Sequence, residues 1–208
     1  METFEELEVT NAMVPPTALR KLKASNVSMD ARDVDLRVLV SAGEALDAAT
    51  AEWCQDRLGT KPQDAYGQTE IGLSIANFAF DNWETRPESM GRTVPGWTVA
   101  LLDKDGTELG DDEVGEIAVW PTGSPRLWQY WGRPYASLEK FSGRWHRTGD
   151  LARRDGDGYY WFVYRKDSVI ISSSYRIGPG KSRSPCWNTR QSRRSASPAS
   201  PTRHAATS

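Results

Sequence analysis

Asp64-Ala65-Tyr66-Gly67-Gln68-Thr69-Glu70 places two acids, an aromatic ring, a glycine and a hydroxyl within seven residues. Tyr66 offers a flat ring that can stack on a purine. Gly67 lets a ligand approach the backbone closely. The Thr69 hydroxyl suits a phosphate, and the Glu70 carboxylate suits the Mg²⁺ that accompanies it. The plain alternative is a strand end followed by a turn with polar decoration. A motif this short does not decide between the two readings.

Working outward, Leu36 to Val40 reads as a buried parallel strand. Ser41-Ala42-Gly43-Glu44 follows as a tight loop at its carboxyl end, where open α/β sheets bind ligands. Asp47 to Leu58 predicts a helix, with Asp47 as N-cap and Gly59 as its stop. A strand around Gln63-Asp64-Ala65 then leads into the heptad. Two successive strand ends therefore carry two polar loops. Further upstream, Leu7 to Val9 predicts a short strand. Pro15-Pro16-Thr17 opens a helix with Leu19 and Leu22 on one face.

From about residue 92 the pattern changes to short strands: Thr98 to Leu102, Glu116 to Trp120, Trp145 to Thr148 and Tyr159 to Tyr164. Turns such as Lys104-Asp105-Gly106 and Asp155-Gly156-Asp157-Gly158 separate them. A small antiparallel barrel or distorted sheet is expected. Residues 121–144 hold Trp128, Tyr130, Trp131, Tyr135 and Phe141. Packing beneath a long loop is the expectation for these rings, with a stacking platform as the alternative.

Three further stretches carry a resemblance. They are Ser41-Ala42-Gly43-Glu44-Ala45-Leu46, Thr148-Gly149-Asp150, and Tyr164-Arg165-Lys166-Asp167 followed by Tyr175-Arg176-Ile177-Gly178-Pro179. Together with the heptad, and in this order, the chain resembles the adenylate-forming (AMP-dependent) synthetases over residues 1–179. Its closest flavour is the branch of medium-chain acyl-CoA and acetyl-CoA synthetases. The resemblance implies an α/β fold: the later part of the family's large N-terminal domain, ending just inside the C-terminal domain. Residues 1–90 would be the α/β nucleotide- and acyl-binding part and 91–166 the β-rich subdomain. Residues 167–179 would be the hinge and the start of the C-terminal domain.

The activity implied is an ATP-dependent acid–thiol ligation: a carboxylate and ATP give an acyl-adenylate, then a thioester with coenzyme A. The protein's task is to position the carboxylate for in-line attack and to neutralise charge on the α-phosphate. By resemblance, Gly43, Glu44, Asp64, Tyr66, Gly67 and Gln68 would frame the nucleotide. Thr69 would contact phosphate and Glu70 would hold Mg²⁺, these two being the catalytic pair. Asp150 would accept the ribose hydroxyls, and Arg165 would neutralise nucleotide charge. Asp167 would be the hinge, and Arg176 would lie on the coenzyme A or phosphate side. Read without the resemblance, Asp150 is a turn aspartate and Arg165 a solvated strand-end charge.

Acetyl-specific members carry tryptophan where Gly67 stands, which implies an acyl tunnel open to longer chains. The alternative is that Gly67 serves only its backbone. Two residues depart from the family pattern, Tyr164 and Ser174 standing where glycine is usual. The family's Ser/Thr/Gly-rich phosphate loop has no counterpart before residue 36, and its C-terminal lysine would lie beyond residue 208. The expectation is a fragment, inactive alone and poorly stable, whose partner is a separately encoded N-terminal half.

The chain has 208 residues and a net charge of −2, and six of its 26 basic residues fall in 181–208, which hold no acid. The remainder carries 20 basic against 28 acidic residues, which argues against nucleic acid as its partner. Residues 180–208 are poor in large apolar side chains and read as disordered. Cys186-Trp187 and Trp187-Asn188, shifted by one base, become Leu and Glu, so the tail also reads as a frameshifted form of the family's C-terminal domain. No apolar run reaches membrane-spanning length and no signal segment is present. Cys54 and Cys186 form neither a disulfide framework nor a zinc site, which fits a cytoplasmic protein. Two other classes compete: a nucleotide- or partner-binding module without turnover, and a nucleic-acid adaptor with a basic tail. Pyrophosphate release separates the ligase from the module, and salt-dependent DNA affinity would mark the adaptor.

Overall fold

The structure, a computed structural model, describes residues 4, 6–25, 35–78, 84–86, 88–122, 129–168, 170–172 and 175–177. The chain divides into two units, Met1–Lys166 and Asp167–Ser208.

In the first unit the early chain builds a mixed sheet. Its strands are β1 (Asn11–Met13), β2 (Val38–Ala42), β3 (Gln63–Gln68), β4 (Gly72–Ala76) and β5 (Arg92–Thr93), adjacent in that order. β1, β2 and β3 are parallel, with Val40 opposite Gln63 and Ala42 opposite Ala65. β4 and β5 are antiparallel. The helices α1 (Pro16–Ala24) and α2 (Ala48–Leu58) follow β1 and β2. Their starts are encoded locally. Pro16 stands in the first turn of α1, and the Asp47 carboxylate accepts the Thr50 N–H at 2.9 Å to cap α2. Gly59 ends α2 in the left-handed region, φ 71°. Leu19, Leu39, Leu46, Cys54 and Leu58 form the apolar layer between helices and sheet. Burial pushes the Cys54 thiol up to about 12, so it behaves as an apolar side chain.

The later chain forms an antiparallel sheet. Its order is β10 (Tyr160–Arg165), β9 (Trp145–Arg154), β7 (Val114–Pro121), β6 (Trp97–Leu102), with β8 (Phe141–Ser142) against β9. Asp103 closes the β6 turn by accepting the N–H groups of Asp105 and Thr107, both at 2.8 Å. Asp155 does the same for Asp157 and Tyr159 before β10. The short helix α3 (Pro134–Leu138) precedes β8. One apolar cluster joins the sheets: Tyr66, Ile71, Ile75 and Met90 pack with Val99, Leu101, Ile117, Val119, Ala152 and Tyr160. Backbone pairing reinforces it, with Met90 N–H donating to Tyr160 O and Tyr160 N–H to Gly91 O, both at 2.9 Å. In the second unit β11 (Ile170–Ser172) and β12 (Tyr175–Ile177) form a hairpin, with Ile171 opposite Arg176.

The expected α/β piece followed by an antiparallel sheet is present. Several local expectations are corrected. Leu7 to Val9 is not a strand: Val9 N–H bonds Phe4 O at 3.0 Å, and the ladder with β2 starts at Asn11. The heptad holds both the strand end and the turn, but the strand runs further than Gln63-Asp64-Ala65: β3 continues through Gln68 and turns only at Thr69. Thr148-Gly149-Asp150 is not a turn but the middle of β9, where Gly149 adopts φ 84° at a break in register with β7. The described aromatic residues of this stretch differ in their surroundings. Trp131 is fully exposed and Tyr135 is 80 % exposed, while Phe141 meets the buried His146 edge-on at 5.4 Å. Trp128, Cys186 and the tail 178–208 lie outside the described residues. No helix among the described residues is long and apolar enough to cross a membrane.

Candidate functional site

The carboxyl ends of β2 and β3 face the β9–β10 pair across a cleft of about 560 Å³. Gly43, Glu44, Asp64, Tyr66, Gly67, Gln68, Asp150 and Arg165 all line it. Residues separated by more than a hundred positions thus converge on one surface. Met90, Trp161 and Phe162 complete the wall. Sequence reasoning saw only a strand in Tyr159 to Tyr164 and did not single out these three. Trp161 and Phe162 are successive residues of β10, and the buried Met90 lies before β5.

Asp150 is the centre of the polar network. It is 5 % exposed, and all its contacts are charge-assisted. Its Oδ2 accepts the Tyr66 hydroxyl at 2.7 Å and the Gln68 amide at 2.7 Å. Its Oδ1 accepts Arg165 Nη1 at 3.1 Å. Gln68 also donates to the Thr148 carbonyl at 3.1 Å. The heptad and the Thr148-Gly149-Asp150 stretch are therefore bonded directly. Tyr66 is a core side chain as well as a cleft wall: only 9 % is exposed, and burial pushes its phenol pKa up, with the Asp150 carboxylate adding to the rise.

Asp64 lies at the cleft floor. Burial raises its carboxyl pKa to about 7, against the opposing pull of the Ala65 and Leu46 backbone amides. One of those is the Ala65 N–H, bonded at 3.0 Å. Gly43 adopts φ 94° in the loop after β2, with open space where a side chain would stand. The Glu44 side chain is held by its neighbours. Its oxygens accept the Thr17 hydroxyl at 2.6 and 2.7 Å and face Arg20 at 3.4 Å.

Gly67 has a steric reason to be glycine. A Cβ there would sit 2.1 Å from the Gly72 carbonyl oxygen and 3.0 Å from Leu73 Cα, at the bulge where β3 and β4 change register. Tryptophan could not extend from this position into a tunnel without moving β4. The geometry supports the backbone explanation of Gly67, not the chain-length one.

Thr69 and Glu70 are not among the cleft-lining residues. Thr69 is exposed in the turn after β3. The Glu70 carboxylate accepts the Tyr130 hydroxyl at 2.7 Å, and that bond holds its pKa below the usual range. Among the described residues no three His, Cys, Asp or Glu side chains gather as a metal cluster. Asp167 lies in the one-turn helix Lys166–Ser168, and Arg176 lies in β12 of the second unit.

Behind Asp150 stands a group that sequence reasoning missed. Glu116 on β7 is 4 % exposed and takes Arg147 Nε at 2.6 Å, Lys166 Nζ at 2.6 Å and the Gly149 N–H at 2.9 Å. Burial would raise its pKa, but the bonds from Lys166 and Arg147 outweigh that and hold it low. Nothing local marks Glu116, since it reads as one polar residue in an apolar strand.

The fold and cleft define an α/β domain in which loops at strand ends face an antiparallel sheet. The chain belongs to the AMP-binding enzyme family, whose model matches residues 1–124. It is 35% identical over 184 residues to the mitochondrial acyl-coenzyme A synthetase ACSM3 of Rattus norvegicus, covering 86% of this chain and 31% of that protein. It is 37% identical over 177 residues to 4-hydroxybutyrate–CoA ligase 1 of Metallosphaera sedula, covering 84% and 31%. Among solved structures, an acyl-CoA synthetase of Brucella canis matches with a TM-score of 0.70 and 38% identity, covering 86% of this chain and 33% of that one. An anthranilate CoA ligase in complex with anthranoyl-AMP matches with a TM-score of 0.76 and 28% identity, covering 89% and 35%. The chain spans about a third of the length of the curated relatives it matches.

Proposed function

We propose that the cleft binds an adenine nucleotide and that the chain is the nucleotide-reading part of an AMP-forming acid–thiol ligase. The observation that carries this reading is the Asp150 network, a buried carboxylate at a cleft wall held by Tyr66, Gln68 and Arg165. An ionised carboxylate only accepts hydrogen bonds, which suits the hydroxyl protons of a ribose. Arg165 stands beside it as a fixed positive charge for phosphate. The Gly43 loop and the floor around Asp64 are left for the base.

In the reaction this reading implies, an oxygen of the carboxylate substrate attacks the α-phosphorus of ATP. The bond to the β-phosphate oxygen breaks and pyrophosphate leaves with the electron pair. The thiolate of coenzyme A then attacks the acyl carbon, and AMP leaves. Mg²⁺ fits Glu70 by donor chemistry: an ionised carboxylate oxygen, with phosphate oxygens and water as the remaining ligands. Its contribution when bound is to neutralise phosphate charge. Tyr130 orients the Glu70 carboxylate, and Arg165 places positive charge at the nucleotide. The acyl substrate is a small-molecule carboxylic acid.

Titration calorimetry with AMP tests the reading. The chain is expected to bind AMP, and Asp150→Ala to weaken binding on the order of tenfold to a hundredfold, the cost of losing a charged acceptor. A wild-type chain that does not bind AMP, or an Asp150→Ala chain that binds it equally well, overturns it.

A further inference from the structure

We infer that Glu116, although outside the cleft, is a positioning residue for ribose recognition. This rests on the proposed nucleotide reading of the cleft. Asp150 and Arg165 are cross-strand partners on β9 and β10. Glu116 bonds the residue immediately before the first and the residue immediately after the second. Its Oε1 accepts the Gly149 N–H at 2.9 Å, and its Oε2 accepts Lys166 Nζ at 2.6 Å. One buried carboxylate therefore brackets the Asp150–Arg165 pair from behind.

The bracket is needed because β9 is irregular there. Gly149 sits at φ 84°, and the β7–β9 register shifts between Glu116 and Ala118. The β7 ladder skips residues 148–150, so on that side the peptide that carries Asp150 is held by other bonds. Two further bonds steady the same stretch of β9. Thr148 Oγ1 donates to Ile117 O at 2.8 Å and accepts the Asp150 N–H at 3.2 Å. Arg147 completes the charge balance, bonding Glu116 and also the Asp103 carbonyl at 3.1 Å. Without Glu116 the Gly149 N–H loses its acceptor, and two cations lose their counter-charge beside a buried strand. The Asp150 carboxylate then no longer has a fixed direction toward a diol.

The test compares AMP with 2′,3′-dideoxy-AMP, which lacks the two hydroxyls but keeps base and phosphate. Dissociation constants are measured for wild type, Glu116→Gln and Lys166→Met, with thermal melts to establish folding. Glu116→Gln keeps an acceptor for Gly149 but removes the charge. It should weaken AMP about tenfold, as for one charge-assisted bond, and leave dideoxy-AMP within about twofold. Lys166→Met removes one side of the bracket at a half-exposed site, so it leaves no buried cation. It should shift the same ratio in the same direction by about threefold, a fraction of one such bond.

Equal weakening of both ligands means that Glu116 serves only general stability, and this overturns the inference. So does an unchanged ratio in Lys166→Met, should Glu116→Gln fail to fold. A wild-type chain that binds AMP and dideoxy-AMP equally well also overturns it, while leaving nucleotide binding standing. Binding of neither ligand by wild type removes the nucleotide reading itself, and this inference with it.

Discussion

Asp64 holds a carboxyl group at the cleft floor with almost no water around it. With its pKa raised to about 7 in the folded chain, its contribution to stability is complete below about pH 4 and is lost as pH rises through 7. Asp64→Asn should flatten the stability–pH curve across that window and raise stability at pH 8 on the order of 3 kcal/mol, measured by urea denaturation. His146 acts in the opposite sense. It is 2 % exposed, neither ring nitrogen has a hydrogen-bond partner among the described residues, and burial lowers its pKa. Its contribution is present above about pH 6.5 and is lost as pH falls through the folded value, so His146→Leu should remove that acid-side slope. Gly67→Ala should cost about 1–3 kcal/mol, because the added methyl meets the Gly72 carbonyl. The same denaturation series checks it. At this scale the residue types of the candidate site were legible, since Asp150, Tyr66, Gln68 and Arg165 do meet in one cleft. Their bonding was not legible. That the Tyr66 hydroxyl would reach Asp150, or that Glu116 would stand behind it, depends on which strands become neighbours.

Elements follow the same division between local and distant causes. α2 was readable to its ends because both signals lie within it: Asp47 capping Thr50, and Gly59 taking a left-handed φ. Asp47→Ala should therefore cost about 1 kcal/mol, read as a lower midpoint in thermal or urea unfolding with unchanged cooperativity. A loss well below that would show the cap to be redundant with the Arg20–Asp47 contact at 3.6 Å. β1 and β9 were not readable to their ends. Residues 7–9 have the composition of a strand, but the β2 ladder begins at Asn11. Thr148-Gly149-Asp150 has the composition of a turn, yet it is carried inside β9 by pairing with β7 and β10. In both cases the tertiary partner outweighs propensity.

On the scale of the first unit, one glycine takes part in the joint between the two sheets. Gly91 sits at φ 97°, its carbonyl accepts the Tyr160 N–H, and a Cβ on it would lie 2.1 Å from the Ala76 backbone. Gly91→Ala should destabilise the unit by on the order of 3 kcal/mol, combining backbone strain with overlap. Its melt should broaden or split if the mixed sheet then unfolds apart from the antiparallel one. A single sharp transition near the wild-type midpoint would contradict this. The order of α/β elements followed by antiparallel strands was visible in the sequence, whereas this joint was not, because a glycine before an arginine reads as an ordinary loop. The fully exposed Trp131 has a different kind of consequence. It is the one fully exposed ring among the described tryptophans, and it follows directly on Tyr130, which holds Glu70. Its indole should emit at the red edge of the fluorescence spectrum and be quenched readily by iodide. The difference spectrum against Trp131→Phe then isolates an optical reporter one residue from Tyr130, whose hydroxyl bonds the Glu70 carboxylate.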